Sequence, residues 1–242
     1  MTLLHVDTVS RFFGGLKAVD QVSFEMESGT IMGLLGPNGS GKTTLLNLIS
    51  GFLAPSSGKI IFNNTNLAGA RVDRIARAGI ARTFQLVRIL PSLTLLENVM
   101  LPAVFGHRAH WGQEAERVAH EALAKTGLAD RANASAGDLN YIDQKRLELA
   151  RALAAEPELL LLDEWLAGLN PTELQEGIRL IESLSGSGIT IIMVEHIMEA
   201  VRALCPRCAV MNAGKLIADG ETSAVLSDKA VIAAYLGDAE DA

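Results

Sequence analysis

The stretch Gly36-Pro37-Asn38-Gly39-Ser40-Gly41-Lys42-Thr43-Thr44 constrains this chain more than any other, because it fits G-x-x-x-x-G-K-[ST]. An apolar run at residues 30–35 feeds into it as a strand, and residues 45–49 continue from it as a helix. Small residues let successive backbone N–H groups turn onto a β-phosphate with no Cβ in the way. Lys42 then reaches the β/γ oxygens, and the Thr43 hydroxyl can ligate Mg²⁺. A helix beginning near Lys42 adds the positive end of its dipole. These nine residues, Gly36 to Thr44, predict a nucleotide site.

Length and composition then bound the rest. A chain of 242 residues can bury one substantial core with a smaller attached lobe. Hydrophobic residues make up 49% and the mean hydropathy is +0.25, yet no apolar run reaches the roughly 18 residues needed to cross a bilayer. Such a composition fits a parallel α/β sheet covered on both faces. A net charge of −7 argues against a general nucleic-acid binder. The opening residues lack a basic-then-apolar signal, so cytoplasm is the expected compartment. Cys205 and Cys208 are spaced C-x-x-C, which suits a redox pair or half a metal site. Two cysteines cannot complete a zinc site, and Cys208 opens a strand-like run, so small core residues are expected.

Residues 3–13 and 21–26 read as strands joined at Gly14-Gly15, an antiparallel flap beside the main sheet. Phe13 is a candidate platform for a base; one of Phe12 and Phe13 is expected to face a core, and spacing alone does not say which. After a strand at 59–62 and a helix at 72–78, a short strand at 80–84 ends at Gln85. Strand carboxyl ends of a parallel sheet line a ligand crevice, which singles out that glutamine. Residues 86–155 show helical periodicity alone, as a lobe inserted into the core. His107, His110, Trp111 and His120 fall within it, too few ligands for an expected metal site. Four leucines then run into Asp163-Glu164. Asp163 can hold Mg²⁺ directly or through water, and Glu164 is placed to polarise an attacking water. A helix at 171–184 precedes a strand at 190–194 that ends in Glu195-His196. His196 could bond a γ-phosphate or be a satisfied core histidine. A hairpin turns at 212–215, a helix closes the chain at 228–236, and 238–242 form an acidic tail.

Taken in order, the phosphate loop, Gln85, the helical insert, Asp163-Glu164 and His196 resemble the ATP-binding cassette (ABC) transporter ATPases across essentially the whole chain. The resemblance implies a P-loop NTPase (RecA-like) α/β fold, mostly parallel, with an antiparallel β flap and a helical subdomain at 86–155 between core segments 1–85 and 156–242. It implies that Phe13 stacks on adenine, Gln85 senses Mg²⁺ and the attacking water, Glu164 is the catalytic base and His196 the γ-phosphate switch. Residues 167–170 would contact an opposite ATPase subunit, and ATP with Mg²⁺ would be sandwiched between the two. RFFGGL at 11–16, GIARTFQ at 79–85, LLENV at 95–99, LAGLNP at 166–171 and AYLG at 234–237 resemble the ATPases of branched-chain amino acid importers. Those pair two ATPases with two membrane subunits and a periplasmic solute-binding protein; urea and amide importers share much of the pattern.

Three departures stand out. Where the family's L-S-G-G-Q signature should lie, residues 139–143 read Leu-Asn-Tyr-Ile-Asp. Ile142 puts a Cβ where a glycine approaches the partner's γ-phosphate, at a cost of about 1–2 kcal/mol if its φ is positive, and Asp143 is expected to add negative charge beside phosphate. Trp165 replaces a proline after the two acids, and Ile197 follows His196 where Asp is common. The altered signature leaves open a nucleotide-binding partner with little turnover of its own. A small-molecule kinase or GTPase is disfavoured, since no guanine-reading Asn-Lys-x-Asp is present. Residues 86–99, with Leu90, Pro91 and Leu93, are expected either to form a groove for the membrane partner or to pack inside the lobe.

Overall fold

The computed structural model describes residues 2–237, so the acidic tail expected at 238–242 lies outside the described residues. The first strands, β1 (Thr2–Phe13) and β2 (Leu16–Glu27), form a hairpin, and β3 (Ile31–Leu35) leads into α1 (Lys42–Ile49). Next come β4 (Ser57–Phe62), β5 (Thr65–Asn66), α2 (Val72–Ala78) and β6 (Ile80–Arg82). Helices α3 (Leu95–Phe105), α4 (Gln113–Lys125) and α5 (Tyr141–Ala154) follow with two short 3-10 turns before α5. The chain then returns through β7 (Leu159–Asp163), α6 (Pro171–Gly186), β8 (Thr190–Val194) and α7 (Met198–Leu204). It closes with β9 (Arg207–Asn212), β10 (Lys215–Glu221), α8 (Thr222–Leu226) and α9 (Lys229–Gly237).

Two sheets result. One is antiparallel, in the order β2-β1-β4-β5; the other runs β10-β9-β3-β8-β7-β6 and is parallel except at the β10 edge. The leucine run of β7 shows why the second sheet needs apolar residues at every position. Side chains alternate between faces along a strand. Leu159 and Leu161 enter a core shared with α1 and the antiparallel sheet, whereas Leu160 and Leu162 enter a core shared with α3, α4, α5 and α6. All four are fully buried, and each burial contributes about 1.5–3 kcal/mol.

Helix starts follow local chemistry. Thr94 and Asn170 each close a capping box, with Glu97 and Glu173, at the heads of α3 and α6, and Pro171 occupies the first turn of α6. Helix α6 runs two residues beyond the expected 184, while α7 and α8 were not anticipated. The strand expected over 80–84 ends at Arg82. The Thr83 N–H still bonds Leu161 O at 2.9 Å, but its hydroxyl then takes the Asp163 N–H, and the chain leaves the sheet.

One expectation for the flap fails. Neither Phe12 nor Phe13 faces a core: they are 39% and 43% exposed. The β1–β2 pairing slips between Arg11 and Phe12, so the hairpin tip projects past the buried flap, and Lys17 and Arg11 cover one aromatic each.

Candidate active site

Parallel register brings the carboxyl ends of β3, β6, β7 and β8 to one edge: Leu34 and Asp163 both pair with Val194, and Arg82 with Leu161. Everything polar that emerges there converges. From β3 comes Gly36, at φ 139°, where a Cβ would sit 2.1 Å from Met211 O. Gly41 caps α1 at φ 106°, where a Cβ would meet Ala18 O at 2.3 Å. Only glycine fits either position. Lys42 is buried and its Nζ donates to Gly36 O at 2.7 Å and Pro37 O at 2.8 Å, so the ammonium lies inside the loop. Asn38 and Gly39 form the exposed tip, and the buried Ser40 hydroxyl has no partner.

Residues 38–44, with Phe13, Leu16, Lys17, Ala18, Gln85, Glu164, Ala213 and Gly214, line a cleft of about 460 Å³. Phe13 lies at its rim with the Arg11 guanidinium 4.7 Å from the ring centroid. Glu164 takes a left-handed φ of 52°, its amide bonded to Val194 O. That turn aims its carboxylate at two groups from neighbouring strand ends. Gln85 Nε2 donates to Oε2 at 2.8 Å, and His196 Nε2 lies 3.0 Å from Oε1. All three residues expected to be catalytic therefore meet in one hydrogen-bonded set.

Asp163 lies beneath, 2% exposed. Its Oδ2 accepts from Arg82 at 2.7 Å, and Arg82 also donates to Asn47 and Ser50 at the far end of α1. The other carboxylate oxygen, Oδ1, is buried with no partner. Burial lowers the Arg82 pKa, opposed by the Asp163 contact. Sequence reasoning missed Arg82; an arginine in a three-residue strand beside the acid-ending strand was the available signal.

A second unforeseen frame holds the turn after Glu164. Lys145, buried, donates to Trp165 O at 3.0 Å and Ala167 O at 2.6 Å, while Trp165 Nε1 returns a bond to Lys145 O. Gly177 makes room: a Cβ there would lie 3.2 Å from the Trp165 ring and 2.5 Å from Leu166 Cδ2. Glu195 Oε1 accepts from Leu166 N, while burial raises its pKa to about 7.

The structure decides one condition and corrects one reading at residues 139–143. Ile142 has no positive φ; it lies in the first turn of α5, behind the N-cap Asn140, whose Oδ1 accepts from Asp143 N. Asp143 is not a free negative charge either. It is buried and paired with Arg131 at 2.5 Å and Arg146 at 3.7 Å. The segment 86–99 contributes Arg88, but not Leu90, Pro91 or Leu93, to a neighbouring cavity. That cavity, of about 350 Å³, is also lined by Phe52, Phe84, Pro102, Glu148 and Arg151 among others. Cys205 and Cys208 are buried free thiols in the core, as expected.

Residues 19–167 match the family profile described as ABC transporter, and residues 215–241 match the one described as branched-chain amino acid ATP-binding cassette transporter. The chain belongs to the ABC transporter family. Among ABC relatives, the high-affinity branched-chain amino acid transport ATP-binding protein LivG of Escherichia coli K12 is 38% identical over 252 residues, covering 98% of each chain. The ADP conformation of MJ1267, an ATP-binding cassette of an ABC transporter, superimposes with a TM-score of 0.88 at 30% identity, over 98% of this chain and 99% of that one. A dimeric post-hydrolysis state of the cassette MJ0796, bound to ADP and Pi, gives 0.81 at 28% identity, over 90% and 98%. As an ABC cassette, this chain is a nucleotide-binding ATPase. No helix among the described residues is long and apolar enough to cross a membrane.

Proposed function

We propose that this chain is the ATP-hydrolysing subunit of an importer for branched-chain amino acids. It would work at the cytoplasmic face of the membrane, in a dimer with a second ATPase and against membrane-spanning permeases fed by a solute-binding protein. The observation that carries the reading is Glu164, its two carboxylate oxygens held by Gln85 and His196 at the edge of the phosphate-loop cleft. The near-complete overlap with LivG supports the choice of solute.

The family resemblance suggests the residue roles, and their placement supports them. The amides of 38–43 and the Lys42 ammonium would take the β- and γ-phosphates, and Phe13 the base. Asp163 fits Mg²⁺ because its Oδ1 is buried and unpartnered, with Thr43 and Gln85 completing a donor set of hard oxygens. Mg²⁺ bound there would neutralise charge on the transferring phosphoryl group. Glu164 accepts the proton of the attacking water, and His196 orients it and reaches the γ-phosphate. Residues 86–155 would be the helical subdomain, with the Phe52–Phe84–Arg88 cavity facing a permease.

Glu164→Gln keeps the hydrogen-bonding shape and removes the base. ATPase activity of the assembled complex should fall by about 10²–10⁴-fold while Mg-ATP binding, measured by calorimetry, persists. Retained turnover would overturn the assignment of the base.

A further inference from the structure

The closing helix of the chain reaches the phosphate loop. Gly36 N–H donates to the Tyr235 hydroxyl at 2.8 Å, across 199 residues of sequence. The contact has a physical cause at each end. Strand β3 pairs with β9 as far as Leu35 and with β8 as far as Leu34, so at Gly36 the chain leaves the ladder and its amide loses a strand partner. A buried N–H without an acceptor is costly. Tyr235 comes from α9, where it shares a face with Val231, one turn earlier and 2% exposed, so the helix packs with its phenol directed at the loop. Burial raises the phenol pKa above its ordinary value.

We infer that Tyr235 is a positioning residue for nucleotide binding: its hydroxyl fixes the first peptide of the phosphate loop, and through it Lys42. The two grips fall on the two peptide units that meet at Gly36 Cα. Tyr235 holds the amide of Gly36, and Lys42 Nζ bonds the carbonyl of the same residue at 2.7 Å. Without the phenol the Leu35–Gly36 peptide is freer to turn, the torsions at Gly36 Cα loosen with it, and the Gly36–Pro37 carbonyl on which the ammonium rests shifts from the position that serves the phosphate. Tyr235, which falls in the separate branched-chain amino acid profile match at 215–241, thereby acts on the nucleotide site itself. The inference rests on the nucleotide site proposed above and adds a residue to it.

Tyr235→Phe removes the acceptor and little else. Mg-ATP affinity of the full-length chain should weaken about tenfold, as for one orphaned buried amide. In the assembled transporter KM should rise in step, with kcat changed by less than about twofold because Glu164, Gln85 and His196 are untouched. Hydrogen exchange at residues 36–41 of the nucleotide-free chain should quicken, a readout independent of ATP. Val231→Ala loosens α9 without touching the phenol, and should lower the melting temperature with a smaller loss of affinity. Unchanged affinity and exchange in Tyr235→Phe would overturn the inference and leave the nucleotide site standing. Equal affinity losses in both variants would also overturn it, by assigning the effect to helix docking. Failure of the wild-type chain to bind Mg-ATP would remove both readings.

Discussion

At residues 36–44 each departure from regular backbone is fixed by several neighbours; at residues 139–143 the chain relies on one helix end. The loop is held by Met211 O against Gly36, Ala18 O against Gly41, Tyr235 on the Gly36 amide and Lys42 folded over its own carbonyls. The α5 end is held by one Asn140 cap and an Asp143 carboxylate shared between Arg131 and Arg146. A cradle gripped from two strands and the closing helix leaves little room for substitution, whereas a helix end accepts side-chain changes while its amides stay in place. The contrast fits a phosphate loop that keeps the G-x-x-x-x-G-K-[ST] pattern beside residues 139–143 that read Leu-Asn-Tyr-Ile-Asp.

Three experiments probe that contrast, starting with the cradle. Arg82 and Asp163 form a buried ion pair, with side chains 5% and 2% exposed. Arg82→Leu strands the carboxylate and should lower unfolding free energy by about 3–5 kcal/mol, read by urea denaturation. A loss below about 1 kcal/mol would show that the Arg82 tie from Asp163 to Asn47 and Ser50 adds little to the support behind the loop. At the α5 end, Ile142→Gly, with Asp143 retained for its arginines, should raise the ATPase of the assembled complex by up to about 10²-fold if the side chain obstructs a partner's γ-phosphate. No gain would place the two regions on an equal functional footing.

The smallest effect lies between them, at Glu195. Burial holds its carboxyl near 7 against 4.5 when free, so the folded chain keeps a proton that the unfolded chain releases. Stability from this group is complete below about pH 4.5 and declines as pH rises through 7, by on the order of 3 kcal/mol at most. Glu195→Gln should flatten that decline in denaturation curves recorded from pH 5 to 8. An unchanged slope would assign the pH dependence to other groups.

How much of this was legible in sequence depended on how local each signal was. The phosphate loop, the leucine run into Asp163-Glu164 and the hairpin at 212–215 each declare themselves within ten residues, and each occurs as expected. The meeting of Gln85, Glu164 and His196 was legible only through chain order, since strand pairing brings those residues together. Arg82 showed only as an arginine in the short strand before Gln85, and Lys145 and the bond from Gly36 to Tyr235 could not be read at all. Their partners lie 81, 20 to 22 and 199 residues away, and no periodicity records such contacts. The Phe12–Phe13 pair misled for the opposite reason: strand alternation predicts an inward face for one of the two, but both are exposed at the hairpin tip.

The proline-to-tryptophan change at 165 has a practical corollary. The chain contains two tryptophans, Trp111 at 70% exposure and Trp165 at 3%. Iodide should extinguish the emission of the first and leave the second, a dry indole one residue from Glu164. The protein thus contains its own optical gauge of the turn after that carboxylate: a shift in the emission of the shielded indole reports movement there, without an attached dye.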